Sequence, residues 1–389
     1  MSDIDTAVVD SLTCLTPDGR LEKQTSGDKR ASPVRYRIAW CNLPPARGDE
    51  SIARLRGLRP QRGFIPVVYG PIENPENTLD AELAVATALE NLGFTTEIIE
   101  VRLDLESIES LPARRPLLVF NLVDAIDGDG RFAPRVPARL DALGIAYTGC
   151  RTSALFETLS KVETKLKLAH ADLPTPEWST DGPGLNPDAR VIVKAVWEHG
   201  SLGLDETSVM VCEDAPYVVG ARTLLHKTDH FAEAYIEGRE FHLALLERVS
   251  GVEVLPIAEI GALAPHANKI YGYHAKWTPD SAAYIGTLRR FGLEQDEPEL
   301  AKTLKQFAMA VWTLFGFSGY ARVDFRVDSS DAPFIIDVNP NPYLSPDAED
   351  VAAAAEAGLS YQELIGRIVE SALGLSQAST HASQLLRIA

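Results

Sequence analysis

Positive charge is scarce in this chain. Thirty-seven Lys and Arg stand against 55 Asp and Glu, for a formal net charge of −18. That balance argues against nonspecific nucleic-acid binding, which needs a basic surface. It does not exclude a nucleotide, because a local cluster of Lys or Arg can hold a triphosphate inside an acidic protein. Cysteine is scarce as well. Cys14, Cys41, Cys150 and Cys212 lack Cys-x-x-Cys spacing, so neither a zinc site nor a disulfide framework is expected, and a reducing cytoplasm fits best. No apolar run is long enough to span a bilayer. The opening Met-Ser-Asp-Ile-Asp-Thr lacks the basic start and apolar stretch of a secretory signal. The eight histidines show no His-Glu-x-x-His spacing. No Ser/His/Asp or Cys/His set of a side-chain nucleophile is recognisable, and there is no internal repeat or low-complexity segment.

What is present suggests two or three domains in 389 residues. The first 34 or so residues are polar and turn-rich and are expected to be mobile. A strand is expected at Arg35–Cys41 and a loop at Asn42–Arg62. From Phe64 onward, strands at Ile65–Tyr69, Thr96–Val101 and Pro116–Leu122 alternate with helices at Thr78–Leu92, capped by Thr78, and Val136–Leu143. This alternation points to a parallel sheet with helical crossovers. A second unit follows, with a helix at Ser153–His170, a strand at Arg190–Val196, a small-residue loop at Gly200–Gly203 and a strand near His230–Tyr235. A third unit has strands Phe241–Glu247 and Glu253–Ile260, helix Glu297–Phe315, a hairpin, and helix Ser360–Leu373, with a loose polar tail after Gly374.

The hairpin carries the chemistry. Ala-Arg-Val-Asp-Phe-Arg-Val-Asp at 321–328 and Phe-Ile-Ile-Asp-Val-Asn-Pro-Asn-Pro at 334–342 read as two strands joined by a polar turn. Asp337 and Asn339 are two apart and so share a face. With Asp324 on the adjacent strand they offer three oxygen ligands, and Arg322 lies on the Asp324 face. Such a set suits Mg²⁺, which prefers a few carboxylate or amide oxygens plus substrate phosphates to an all-protein cage. The plain alternative is a hairpin with a solvated polar face.

These segments resemble the metal-binding end of the ATP-grasp fold, in the branch of the D-alanine–D-alanine ligases. Further segments fall in that family's order across roughly residues 64–373. By the resemblance, Lys161 in Leu-Ser-Lys-Val-Glu-Thr-Lys and Lys194 in Val-Ile-Val-Lys hold ATP phosphates as point charges. Glu198-His-Gly-Ser-Leu-Gly203 is similar to the family's loop over the phosphates, where Ser201 and Gly203 would bring backbone N–H groups to the anion. Glu-Gly-Arg-Glu-Phe at 237–241 matches the family's interdomain linker, so that Glu233 and the backbone near Ile236 face the adenine and Glu240 accepts the ribose hydroxyls. Lys276 matches a phosphate-binding lysine. Arg322 matches the arginine that steadies an acyl phosphate and a tetrahedral intermediate.

The resemblance implies an α/β ATP-grasp fold of three units. These are an N-terminal parallel α/β domain (61–152), a central lid domain (153–237) and a C-terminal α+β catalytic domain (238–373), with an extension at 1–60 and a tail at 374–389. It implies ATP and two Mg²⁺ ions, with Mn²⁺ as an alternative, and small-molecule carboxylate and amine substrates. Dimers are common among the family's relatives, which makes a homodimer one option for an oligomeric state that the sequence leaves open; the composition read above points to a cytoplasmic protein that binds neither nucleic acid nor membrane.

The substrate half departs from the dipeptide ligases. Gly200 stands where the family's lid-locking serine would be, and Trp277 where its tyrosine would be; glycine has no hydroxyl and indole only donates. The family's first glutamate corresponds to Glu73 or Glu76. Its histidine before the Gly-rich acidic turn is missing from Asn121–Gly130. Tyr343 puts a large ring in the turn that faces the acyl centre. The expected activity is therefore ATP-dependent ligation of a carboxylate to an amine through an acyl phosphate, on amino acids or short peptides other than D-alanine. Synthesis of D-alanyl-D-alanine is the second reading. An inactive nucleotide-binding regulatory protein is the third, against which the intact set Lys161, Lys194, Arg322, Asp324, Asp337 and Asn339 weighs.

Overall fold

The computed structural model describes residues 13–15, 21–23, 63–70, 80–186, 188–198, 201, 204–248, 250–262, 272 and 287–386. Met1–Pro45 forms one unit. In it, β1 (Thr13–Leu15) pairs antiparallel with β2 (Leu21–Lys23). The strand expected at Arg35–Cys41 and the loop at 42–62 lie outside the described residues.

The second unit, Ala46–Ala389, begins with a three-stranded parallel sheet of order β4–β3–β5, formed by β3 (Phe64–Tyr69), β4 (Thr95–Glu100) and β5 (Phe120–Asn121). The crossover α1 (Asp80–Leu92) buries Ala81, Val85, Leu89 and Leu92, the spacing of one helix face. The regular part of β5 is shorter than the expected Pro116–Leu122, although Leu117 and Leu122 still donate backbone bonds to Phe64 and Val68. Helix α2 (Arg135–Leu143) follows.

The single helix expected at Ser153–His170 is two: α3 (Thr152–Thr158) and α4 (Lys161–His170). The break is at Ser160, whose backbone is extended and whose hydroxyl accepts from the Glu163 N–H. Ser160-Lys-Val-Glu163 is a capping sequence, and it places Lys161 at the start of α4. A four-stranded antiparallel sheet of order β6–β9–β7–β8 comes next, from β6 (Trp178–Ser179), β7 (Arg190–Ala195), β8 (Val209–Val211) and β9 (His230–Ala234). Helix α5 (Ala215–His226) packs on it.

The largest sheet has the order β13–β12–β10–β14–β15, with β11 also paired to β10. Its strands are β10 (Gly238–Arg248), β11 (Gly251–Val254), β12 (Ala258–Ala262), β13 (Thr287–Arg290), β14 (Tyr320–Asp328) and β15 (Pro333–Asn339). The strand expected at Glu253–Ile260 is thus two, divided at Leu255-Pro256-Ile257, where proline lacks the N–H a ladder needs. Ala321, Val323, Phe325 and Val327 of β14 join one apolar core with Leu304, Ala308, Val311 and Phe315 of α6 (Pro298–Phe315). The alternate residues of β14 are therefore left for the opposite face. Gly319 (φ +72°) precedes β14, and a Cβ there would lie 2.9 Å from the Gly149 Cα, so only glycine allows the approach. Helices α7 (Glu349–Glu356) and α8 (Tyr361–Leu386) end the chain. The expected loose tail after Gly374 is instead a continuation of α8. One glycine costs a helix only about 1 kcal/mol, and no proline follows it.

Candidate active site

Strand register assembles the site. Between β10 and β14, Glu240 faces Arg326 and His242 faces Asp324. Between β14 and β15, Asp324 faces Asp337 and Arg322 faces Asn339. A bulge beside Asp324 leaves Ile336 unmatched on β15; such an irregularity re-aims nearby side chains. The result is a polar ladder on one sheet face. Arg326 donates from Nε and Nη2 to Glu240 Oε2, both at 3.1 Å. His242 Nε2 lies 3.1 Å from Glu240 Oε1 and 3.9 Å from Asp324 Oδ2. Arg322 grips Asp324 with two bonds of 2.7 and 3.0 Å, and its Nη1 lies 3.4 Å from Glu349 Oε2. Burial opposes the charge on Arg322, but Asp324, Asp350 and Glu349 outweigh it and hold its pKa well above the usual value.

At one end of this ladder is a cleft lined by Lys161, Lys194, Ser201, Glu233, Ile236, Glu240, Asp324, Arg326 and Asp337. Lys161 is ion-paired to Asp337, and Lys194 to Glu233. Lys165 Nζ lies 2.6 Å from the other Glu233 oxygen. Burial pushes the Glu233 carboxyl up, but the two lysines prevail and leave it below its ordinary range. Burial pushes Lys165 down. Of the sequence-predicted residues, the structure thus brings together Lys161, Lys194, Ser201, Glu233, Ile236, Glu240, Arg322, Asp324, Asp337 and Asn339. Gly200, Gly203, Lys276, Trp277, Glu73 and Glu76 lie outside the described residues.

Among the described residues no three His, Cys, Asp or Glu cluster as a self-sufficient metal site. The donors present are two facing carboxylates and the Asn339 amide. A hard ion that completes its shell with phosphate oxygens fits that set.

At the other end of the ladder lies a cavity of about 530 Å³. Arg322 and Asn339 line it, together with Asp124, Arg289, Tyr343 and Glu349. The segment after Asn339 is tied down. Tyr320 donates its hydroxyl to Asn341 Oδ1 at 2.9 Å, Asn341 Nδ2 donates to the Val123 carbonyl at 3.1 Å, and Tyr361 donates to the Leu344 carbonyl at 2.9 Å. Burial and then the nearby Glu82 push the Tyr343 phenol up. Behind Glu349, both Asp350 oxygens are buried without a hydrogen-bond partner, and burial pushes that carboxyl up to about 7 despite Arg322.

Sequence reasoning missed Lys165, His242, Arg326, Glu349 and Asp350. For three of them a signal was there. His242 follows Glu240 by two and Arg326 follows Asp324 by two, the strand period that shares a face. Lys165 follows Lys161 by four, one helical turn. Glu349 and Asp350 carry no comparable local signal.

The family profile described as "D-ala D-ala ligase C-terminus" matches residues 189–370. A D-alanine–D-alanine ligase of Moorella thermoacetica is 32% identical over 322 residues, covering 78% of this chain and 97% of that protein. The uncharacterized protein y4sG of Sinorhizobium fredii is 34% identical over 268 residues, 67% of this chain and 76% of that protein. The crystal structure of a D-alanine–D-alanine ligase from Bacillus anthracis, also solved as a complex with ATP, superposes with a TM-score of 0.63 at 19% identity, covering 82% of this chain. That likeness shows that the fold is shared.

Proposed function

The chain belongs to the D-alanine–D-alanine ligase family of ATP-grasp enzymes, which form carbon–nitrogen bonds, and we propose that it joins a carboxylate to an amine on substrates other than D-alanine. The observation that carries this reading is the junction of the two spaces. Asp324 borders the cleft, and Arg322 and Asn339 border the 530 Å³ cavity, so a triphosphate in the first can reach a carboxylate in the second.

The roles follow from position. Lys161 and Lys194, which line the cleft, bind phosphates together with Ser201; by the family resemblance alone, Gly203 and Lys276 join them. Glu233 and the backbone near Ile236 take the adenine, and Glu240 the ribose. Asp324, Asp337 and Asn339 would hold two Mg²⁺ ions, with Mn²⁺ as a substitute; when bound, the metal would offset charge on the transferring phosphoryl group. The γ-phosphoryl of ATP passes to the substrate carboxylate, giving an acyl phosphate and ADP. The amine then attacks the acyl carbon, loses a proton, and displaces phosphate to leave an amide. Arg322 donates to the oxyanion of that addition, the kind of placed donor that catalyses by electrostatic stabilisation. No side-chain nucleophile is needed.

The same proposal divides the chain at 61–152, 153–237 and 238–373, between an extension at 1–60 and a tail at 374–389. Its partners are small molecules, a second copy of the chain in a homodimer, and neither nucleic acid nor membrane. No helix among the described residues is long and apolar enough to cross a membrane, and the cytoplasmic location proposed rests on the scattered cysteines.

Tyr343 in the cavity wall, beside Glu82 and Asp124, favours a substrate other than D-alanine. A site whose polar partners have changed rejects the old substrate by roughly 10²–10⁵. The test is ADP release with Mg²⁺ and ATP across amino acids and short peptides, with mass spectrometry of a D-alanine incubation. Turnover is expected with a partner other than D-alanine. Robust D-alanyl-D-alanine would favour the dipeptide ligase instead, the reading that the names of the relatives support.

A further inference from the structure

We propose that Arg326 is a nucleotide-positioning residue, which fixes Glu240 and the strand connection before it so that this chain's grip on ATP depends on the ribose hydroxyls. The inference rests on the reading of the cleft as the ATP site.

Arg326 is buried in the middle of β14, only 5% exposed, and lines the cleft. One guanidinium engages two residues of the run that joins β9 to β10 and a third at the start of β10. Its Nη1 donates to the Ile236 carbonyl at 2.9 Å. Its Nε and Nη2 form a fork on Glu240 Oε2. Its central carbon lies 5.1 Å from the centroid of the Tyr235 ring, and the Arg190 guanidinium from β7 lies 5.0 Å from the same ring. His242 meets the other Glu240 oxygen.

Burying a guanidinium is costly unless good geometry compensates, and the three partners of Arg326, Tyr235 and Ile236 in the connection and Glu240 at the start of β10, all line the cleft. Glutamate is a flexible side chain, and holding it in place before the ligand arrives removes an ordering cost from binding. A planar fork does this where lysine, a point charge, would not. Arg326 also ties the four-stranded sheet to the large one through Tyr235 and Ile236. The carboxylate proposed for the ribose and the backbone proposed for the adenine are therefore set by one side chain.

The experiment titrates the full chain with Mg–ATP and with Mg–2′,3′-dideoxy-ATP by calorimetry. The wild type should prefer ATP by about tenfold or more, the worth of hydrogen bonds to a charged group. Arg326→Met should weaken ATP about tenfold while dideoxy-ATP stays within about threefold, so the preference collapses. Arg326→Met strands Glu240 beside the cleft, so Arg326→Met/Glu240→Gln, which removes both charges, is measured alongside and should show the same loss of preference. Melting temperatures of both variants separate positioning from folding. A folded variant that keeps the wild-type preference overturns the proposal. So does equal weakening of both nucleotides, a wild type without preference, or the failure of both variants to fold, which would make Arg326 structural. A wild type that binds neither nucleotide overturns the ATP-site reading itself, and this inference with it.

Discussion

The two ends of the ladder on β10, β14 and β15 are built by different rules. At the cleft end, opposite charges meet in strand register or across adjacent elements: Arg326 with Glu240, Lys161 with Asp337, and Lys165 and Lys194 with Glu233. At the cavity end, Arg322 and Arg289 converge on Glu349, while Asp350 and the Glu82 Oε2 are buried with no hydrogen-bond partner; Glu233 Oε2 at the cleft end is buried likewise, but there the Lys165 ammonium lies 2.6 Å away. Buried polar groups without partners cost stability, and they are expected where function overrides local consistency. On the function proposed above, the cleft end is the part that would hold ATP and the cavity end the part that would set the substrate.

The sharpest break in that comparison is at Asp324 and Asp337, the acids proposed to hold the metal. Asp324→Asn or Asp337→Asn should lower ATP-dependent turnover by about 10³ or more, because stabilisation of a transferring phosphoryl group is lost. Circular dichroism should show an intact fold, since the amide keeps the shape. If both variants retained a tenth of wild-type ADP release, the cleft end would not be the metal site.

A smaller effect is expected at Glu240. Ribose contacts contribute similarly to ground and transition states, so Glu240→Ala should raise the ATP KM by about ten- to a hundredfold and lower kcat less. An unchanged KM for ATP would remove the ribose role and leave Glu240 as a partner of Arg326 alone.

The same division governs what was legible in the sequence. Alternation in Arg322-Val-Asp-Phe-Arg326 and Asp337-Val-Asn339 determines which residues share a face, because strand geometry repeats every two residues. The capping sequence at Ser160–Glu163 is readable, but it sits inside a longer helical run that masks it. Pro256 likewise marks the break between β11 and β12. The partners of Lys161 and Lys165 are not readable. Asp337 and Glu233 lie far away in sequence, and only folding brings those charges together. The cavity is the least legible part, because its walls come from the loop after β5, from β13 and from the start of α7. Such a surface has no periodicity of its own.

The last and smallest effect concerns Asp350 and turns on a sign. Burial raises its carboxyl to about 7 in the folded chain, above the about 3.9 of an unfolded aspartate. The folded state therefore holds the proton after the unfolded state has released it. Stability from this group is complete below about pH 4, falls as pH rises through the folded pKa, and stays low above it. An asparagine side chain has no such proton to lose, so Asp350→Asn should flatten the fall in melting temperature between about pH 4 and about pH 7 relative to the wild type. About three pKa units correspond to roughly 4 kcal/mol as an upper bound, or a few degrees in a chain of this size. Arg322 keeps Asp324 and Glu349 in the variant, so the change is confined to one buried proton. Parallel pH profiles for the two proteins would show that Asp350 is charged and satisfied in the folded state. The contrast between a paired cleft and a costly cavity wall would then have lost its clearest example.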